Sequence, residues 1–149
     1  MNFFMLLMGH LWGDYCTQTH EQAWDKKSRN GWGLYVCTVH CLLYSICIVM
    51  ALYLLPRFGQ PLGDKEKILV FKIFSAVFVS HFVINRYNLV KWWVEKLLHR
   101  TIPAPGEKVT VVGMINLLVY VVVDNTFHLT LLLIFLKFLW PEFYATNTI

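Results

Sequence analysis

Charged side chains are scarce in this chain of 149 residues: they make up 15% of it, whereas 57% of the residues are hydrophobic. An ordinary soluble domain carries about 25% charged and about 45–50% apolar residues. One domain of this length cannot hide such an excess of apolar side chains in a single core. The composition therefore excludes a disordered or collagen-like chain and argues against a soluble enzyme. It predicts one all-α integral membrane domain over residues 1–149.

Several familiar enzyme signatures are also missing. The sequence contains no G-x-S-x-G, P-loop, H-E-x-x-H or dinucleotide-binding motif, so serine hydrolase, nucleotide and nicotinamide chemistry have no support. The net charge of +4 is modest and lies in short runs between apolar blocks, which is typical of membrane-flanking loops. Nucleic acid is not an expected partner. The four cysteines lie in or beside apolar segments and do not form the disulfide framework of a secreted domain.

Four apolar blocks follow one another along the chain. They cover residues 2–19, 32–55, 67–84 and 109–140. A bilayer core about 30 Å thick needs about 20 helical residues, so the blocks predict a bundle of about four transmembrane helices, of which the first is barely long enough. The third block is predicted to continue as a helix to residue 100, where basic and aromatic side chains indicate an extension in the membrane interface.

The loops carry a small bias in basic residues. Lysine and arginine are more frequent in the first and third loops than in the second. Because basic loops tend to stay in the cytoplasm, this bias predicts a multi-pass protein with both termini outside.

Polar and ionisable residues recur inside the apolar blocks, mostly in pairs separated by four positions. They are His10, Asp14 and Gln18 in the first block, His40 in the second, His81 and Asn85 in the third, and Asp124 and His128 in the fourth. A separation of four places two side chains on one helix face, one turn apart. Since a central aspartate costs about 2.5–3.5 kcal/mol on membrane-insertion scales, we expect the pairs to converge on a shared site.

Imidazole and carboxylate groups are the usual ligands of zinc, manganese and iron, and facing helices of a bundle can supply them to a central ion. The pattern predicts a divalent metal site, with zinc as the expected ion and manganese or iron as alternatives. The predicted ligands are His10, Asp14, His81, Asp124 and His128. Gln18 and Asn85 are expected to support these ligands, and His20 or Glu21 can add a further one.

Two other uses of the same residues remain open. A proton or ion relay also needs histidine and aspartate inside a membrane, and His–Asp pairs can be interhelical hydrogen bonds that fix packing. Cys37, His40 and Cys41 form a C-x-x-H-C cluster, which the packing of small side chains on one helix face also explains.

The string GHLWGDYCTQ, followed by Lys26 or Lys27 and by His40, resembles an uncharacterised family of small bacterial and phage membrane proteins, a domain of unknown function. Its members are similar in carrying His-x3-Asp-x3-Gln, a lysine, a histidine, a second His-x3-Asp and a late Asp-Gln-x-x-His. Here Asn85 replaces the second aspartate, and Asn125 replaces the late glutamine beside Asp124. The resemblance implies a helical bundle in the bacterial inner membrane, a phage or prophage origin, and a supporting role for Asn125, but no reaction.

Three functions are compatible with this pattern. The first is a metal-dependent hydrolase acting at the cytoplasmic side on a lipid, lipid-linked or phosphorylated substrate, with His40 as general acid or base and Lys26 or Lys27 stabilising anionic charge. The second is a non-catalytic phage factor that blocks infection or binds a host membrane protein. The third is a small ion or metal transporter, expected to be a homo-oligomer. The apolar outer halves of the blocks argue against the transporter.

Overall fold

Helices account for all the regular structure in the described part of the chain, which comprises residues 2–19, 25–26, 28, 30–54, 61–104 and 107–139 of a computed structural model. Within these residues there are five α-helices: α1 (Asn2–Leu11), α2 (Gly31–Val49), α3 (Asp64–Arg86), α4 (Leu89–Lys96) and α5 (Val111–Leu139). Five-residue π-helical turns extend two of them, Trp12–Cys16 after α1 and Met50–Leu54 after α2.

Among the described residues, three helical segments are long and apolar enough to cross a membrane. They are Gly31–Tyr53, which is α2 with most of its π turn, and the whole of α3 and α5. Large apolar side chains cover their outer faces: Phe71 is 69% exposed and Phe138 is 78% exposed, as expected for faces that contact lipid. The chain therefore has the character of a membrane protein.

The first apolar block is shorter in the structure than the sequence predicts. α1 has 10 residues and its π turn adds 5, which together fall below the roughly 20 residues that a span needs. The fourth transmembrane span therefore stays a prediction.

The helix predicted to run from the third block to residue 100 is interrupted. α3 ends at Arg86, and Asn88 adopts a left-handed backbone with φ 52° before α4 begins. Asparagine tolerates this conformation better than most residues. The helix can therefore end here, although the hydropathy of the sequence shows no interruption. After the turn, Val90 and Val94 are buried and pack with Phe127 of α5. The location of α4 in the membrane interface stays a prediction.

An apolar cluster joins the long helices one turn away from the buried histidines. Its members are Leu6, Tyr44, Ile48, Val49, Leu52, Ile73, Val77, Leu132 and Leu136. On four helices, a member of this cluster lies four positions from a histidine, in the pairs Leu6/His10, Tyr44/His40, Val77/His81 and Leu132/His128. Because residues four apart share a helix face, the packing that buries the cluster also brings the histidines to one level of the bundle.

Two glycines on α1 and its π turn allow the backbone to approach α2 closely. A Cβ added at Gly9 would lie 2.8 Å from the Cβ of Ala51, and one added at Gly13 would lie 2.8 Å from Cδ2 and 3.1 Å from Cα of Tyr44. Small residues four positions apart are a common solution for close helix packing in membranes. Because Gly13 has no side chain, the backbone that follows α1 can lie directly against Tyr44.

We predict that Gly13→Ala destabilises the protein by about 1–3 kcal/mol, because the new methyl group overlaps Tyr44, including its backbone. Denaturant unfolding in detergent measures this change. Gly31→Ala is the matched control, since a Cβ at Gly31 meets nothing within 4 Å and alanine favours the helix. Equal stability of the two variants would contradict the close packing of α1 on α2.

Candidate metal centre

A buried layer of ionisable side chains lies in the middle of the bundle. It consists of His10, Asp14, His40, His81 and His128, and we refer to it as the polar layer. Each histidine is at most 3% exposed, and the Asp14 side chain is 10% exposed. The members come from α1, its π turn, α2, α3 and α5. The structure thus brings together the His/Asp pairs that are far apart in the sequence.

Asp14 is positioned by the π-helical turn that follows α1. Single π turns at the end of or inside α-helices are frequent at functional sites because they redirect side chains. The Asp14 carboxylate lies against one histidine of α2 and one of α3. Its Oδ1 atom is 3.3 Å from Nε2 of His40 and 3.3 Å from Nε2 of His81. The two Nε2 atoms are 2.9 Å apart. These three residues form what we call the first ligand group.

The dimensions of the first ligand group match those of a tetrahedral metal site. Nitrogen and oxygen ligands bound to zinc at about 2.0–2.2 Å in a tetrahedron lie about 3.3–3.6 Å from one another. Two of the three separations in the group are 3.3 Å, and the third, at 2.9 Å, is shorter by a few tenths of an ångström. A small outward movement of one imidazole ring would therefore accommodate an ion.

A second group of possible ligands shares Asp14. One ligand atom each from Asp14, Asp124 and His128 lies within 4.8 Å of the others. The Nδ1 atom of His128 is 2.8 Å from the backbone carbonyl oxygen of Asp124, which can only accept a hydrogen bond. Nδ1 therefore carries the proton in the neutral ring, and Nε2 keeps its lone pair. We call these three residues the second ligand group.

His10 lies beside Asp14, but both of its ring nitrogens have other partners. Asn125 donates its amide Nδ2 to the oxygens of Val121 and Tyr15, so its Oδ1 faces His10 and accepts from Nε2 at 2.8 Å. In the neutral ring, Nδ1 then accepts from the Tyr44 hydroxyl at 2.8 Å. His10 was predicted as a ligand, yet it belongs to neither ligand group.

Lys26 approaches the first ligand group from the segment that precedes α2. Its Nζ atom donates to Gln18 Oε1 at 3.3 Å and lies 3.5 Å from Nε2 of His40. The side chain is only 8% exposed. Gln18 thus contacts the buried Lys26 side chain next to the first ligand group. The supporting role predicted for Gln18 and the catalytic role predicted for Lys26 stay predictions. Lys27, His20 and Glu21, the other predicted contributors from this part of the chain, lie outside the described residues.

Unsatisfied polar atoms are concentrated in and beside the polar layer. Among the described residues, four buried side-chain atoms lack a hydrogen-bond partner: Gln18 Nε2, His40 Nδ1, His81 Nδ1 and His128 Nε2. Since over 90% of buried polar groups in folded proteins are paired, four such atoms within one small region are unusual.

Other predicted residues lie next to the ligand groups without joining them. Asn85 donates to the backbone carbonyl of His81, one turn earlier on α3. Cys37 and Cys41 are buried on α2, and neither ligand group contains a cysteine among the residues described.

Tyr44 is the functional neighbour that the sequence reasoning missed. Besides its hydrogen bond to His10, its ring stacks on that of His81 with the centroids 3.7 Å apart and an angle of 7° between the planes. The signal was present in the sequence, because Tyr44 lies four residues after His40 and therefore on the same face of α2. Tyr44 orients two histidines of the polar layer at once.

We predict that Tyr44→Phe destabilises the protein by about 1–2 kcal/mol, because it leaves the buried Nδ1 of His10 without its donor while keeping the ring stack. Unfolding in detergent measures the change. Tyr35→Phe on the same helix is the control, since Tyr35 is 60% exposed. A Tyr44→Phe protein as stable as this control would show that the hydroxyl contributes nothing to the order of the polar layer.

Comparison with known proteins places the chain in a family. The family described as a protein of unknown function (DUF3307) matches residues 2–149. No curated protein and no solved structure matches the chain. With a match over nearly its whole length, the chain belongs to the DUF3307 family.

Proposed function

We propose that this protein is a metal-dependent hydrolase of the bacterial inner membrane. Asp14, His40 and His81 hold its divalent ion, for which zinc is the first candidate. Its substrates are phosphate esters of lipids or lipid-linked molecules. The observation that carries the proposal is the first ligand group, in which a buried carboxylate and two imidazoles lie within 3.3 Å of one another.

The number and type of ligands favour a catalytic ion over a structural one. Structural zinc sites are closed by four protein ligands, whereas catalytic sites use three and keep a position for water or substrate. The described residues supply three ligands to the first group. An ion held by Asp14, His40 and His81 would make water nucleophilic at neutral pH and polarise a phosphoryl oxygen.

Lys26 favours an anionic substrate. Its ammonium group is buried and lies 3.5 Å from Nε2 of His40, so it can reach an oxygen bound beside that ligand. A fixed cation in a low-dielectric site stabilises the negative charge that develops on phosphoryl oxygens during hydrolysis. This arrangement supports a phosphate ester rather than a neutral ester or amide.

The roles of two histidines differ from those expected from the sequence alone. We assign His40 as a ligand, since its Nε2 atom lies within the first ligand group, and not as a general acid or base. We assign His10 as a positioning residue, because Tyr44 and Asn125 occupy its nitrogens while its ring borders Asp14. Its Nδ1 atom lies 3.5 Å from Oδ2 of Asp14, so the fixed ring limits the space available to the carboxylate.

The net reaction adds water across the ester. The water oxygen bonds to phosphorus and the ester P–O bond breaks. The leaving oxygen keeps the electron pair of that bond and takes a proton from the water. The loop charges support placing this chemistry in the cytoplasmic half of the membrane, where phosphorylated headgroups are accessible.

We predict that the purified protein hydrolyses phosphomonoester or phosphodiester lipids in mixed micelles when Zn²⁺ or Mn²⁺ is supplied. A chelator removes the activity, and the metal restores it. Asp14→Asn and His81→Gln lower kcat/KM at least about 100-fold, because each removes a ligand of the ion. Colorimetric phosphate release, with a phosphatase added for diesters, measures the rates.

The control variant is His99→Asn, which removes a histidine that is exposed and lies outside the bundle core. Asparagine tolerates the left-handed backbone of His99, whose φ is 51°. This variant is expected to keep the activity. A metal-loaded protein that turns over none of these lipids contradicts the hydrolase, and a protein that binds no metal contradicts the centre itself.

A further inference from the structure

We propose that Asp14, Asp124 and His128 hold a second divalent ion beside the first, so that the Asp14 carboxylate bridges a two-metal centre. This inference rests on the proposed function, because the second ion completes the site that the first ligand group begins. In this proposal, the unpartnered Nε2 of His128 is a ligand of the second ion, and Asp124, one turn earlier on α5, is another.

The His128 ring is prepared to bind a metal through Nε2. Its Nδ1 proton is committed to the backbone carbonyl of Asp124 at 2.8 Å, which fixes the tautomer and the orientation of the ring. Nε2 therefore presents a lone pair, is buried in a side chain only 3% exposed, and has no hydrogen-bond partner among the described residues. Metal-bound histidines commonly have this arrangement, with the other nitrogen donating to a carbonyl or carboxylate.

Asp14 is placed to contact both ions. Its Oδ1 atom lies against the two histidines of the first ligand group, whereas Oδ2 lies on the side of His10. The ring of His10 in turn stacks on that of His128, with the centroids 5.8 Å apart. Oδ1 thus belongs to the first ligand group, and we assign Oδ2 to the second ion.

The two ligand groups are close enough for a bridged pair of ions. The rings of His81 and His128, one from each group, have centroids 4.4 Å apart. Ions in two-metal hydrolytic sites are typically about 3.5–4 Å apart. A single carboxylate spans that distance with one oxygen on each ion.

The second ligand group is more open to its surroundings than the first. The Asp124 side chain is 26% exposed, whereas the side chains of His40 and His81 are 2% and 1% exposed. An accessible site suits an ion that keeps several water molecules, such as manganese or magnesium, and predicts weaker binding than in the first group.

A pair of ions also explains why a phosphate ester suits the centre. In an in-line displacement at phosphorus, two ions can stabilise the attacking and the leaving oxygen at the same time. The ions held by the two ligand groups would then contact different oxygens of one phosphoryl group, with Lys26 next to the first group.

The experiment counts metal ions in detergent-purified protein carrying a tag without histidines, after loading with Mn²⁺ and removal of free ion. We expect two ions per chain in the wild type and in His99→Asn, one in His128→Gln and in Asp124→Asn, and none in Asp14→Asn. Asp124→Asn tests the site even if His128→Gln fails to fold, because the Asp124 side chain is partly exposed.

Electron paramagnetic resonance of the same samples tests the bridge. A bridged pair of Mn²⁺ ions gives a spin-coupled spectrum, which is expected to become the six-line signal of an isolated ion in His128→Gln and Asp124→Asn. One ion per chain in the wild type, retained in both variants, overturns the second site and leaves the proposed function intact. No ion in the wild type overturns both.

Discussion

The burial of the Asp14 carboxylate among imidazole rings is the constraint on which the rest of the structure depends. An ionised group in the interior of an apolar bundle is expensive unless charged or hydrogen-bonding partners surround it. Here the Nε2 atoms of His40 and His81 both lie 3.3 Å from Oδ1, and Nδ1 of His10 lies 3.5 Å from Oδ2. The three histidines come from α1, α2 and α3, so the positions of these three helices are tied to one side chain.

The packing of the helices follows from this constraint. The apolar cluster lies one turn from the polar layer on each of the helices that contribute histidines, and the glycines of α1 let it approach α2 until Gly13 contacts Tyr44. Tyr44 then connects the two regions, since its ring belongs to the apolar cluster while its hydroxyl donates to His10. An ion bound to Asp14 would neutralise the carboxylate, and a second ion at His128 would contact the unpartnered Nε2 atom of that ring.

The spacing of residues predicted much of this arrangement. Pairs separated by four, such as Asp124 and His128, identify the helix faces that turn inward, and the apolar blocks locate three helices able to span a membrane. The local backbone geometry could not be predicted from the sequence. The π turn that carries Asp14 and the left-handed Asn88 that ends the third helix early have no hydropathy signal.

The sequence also could not show which individual histidines are metal ligands. Whether a histidine can bind a metal depends on which nitrogen is protonated, and that depends on partners distant in the chain. His10 has its nitrogens occupied by Tyr44 and by Asn125, 115 residues away, whereas the Nε2 of His40 meets Asp14 and His81. Only the folded arrangement distinguishes a positioning histidine from a ligand.

X-ray absorption at the zinc edge, on protein reconstituted with one equivalent of Zn²⁺, tests the central claim that Asp14, His40 and His81 form a metal site. We predict nitrogen and oxygen neighbours at about 2.0–2.1 Å, with outer-shell scattering from two imidazole rings that weakens in His81→Gln. Sulfur neighbours at about 2.3 Å would assign the ion to the cysteines of α2 and rule out a site formed by Asp14, His40 and His81.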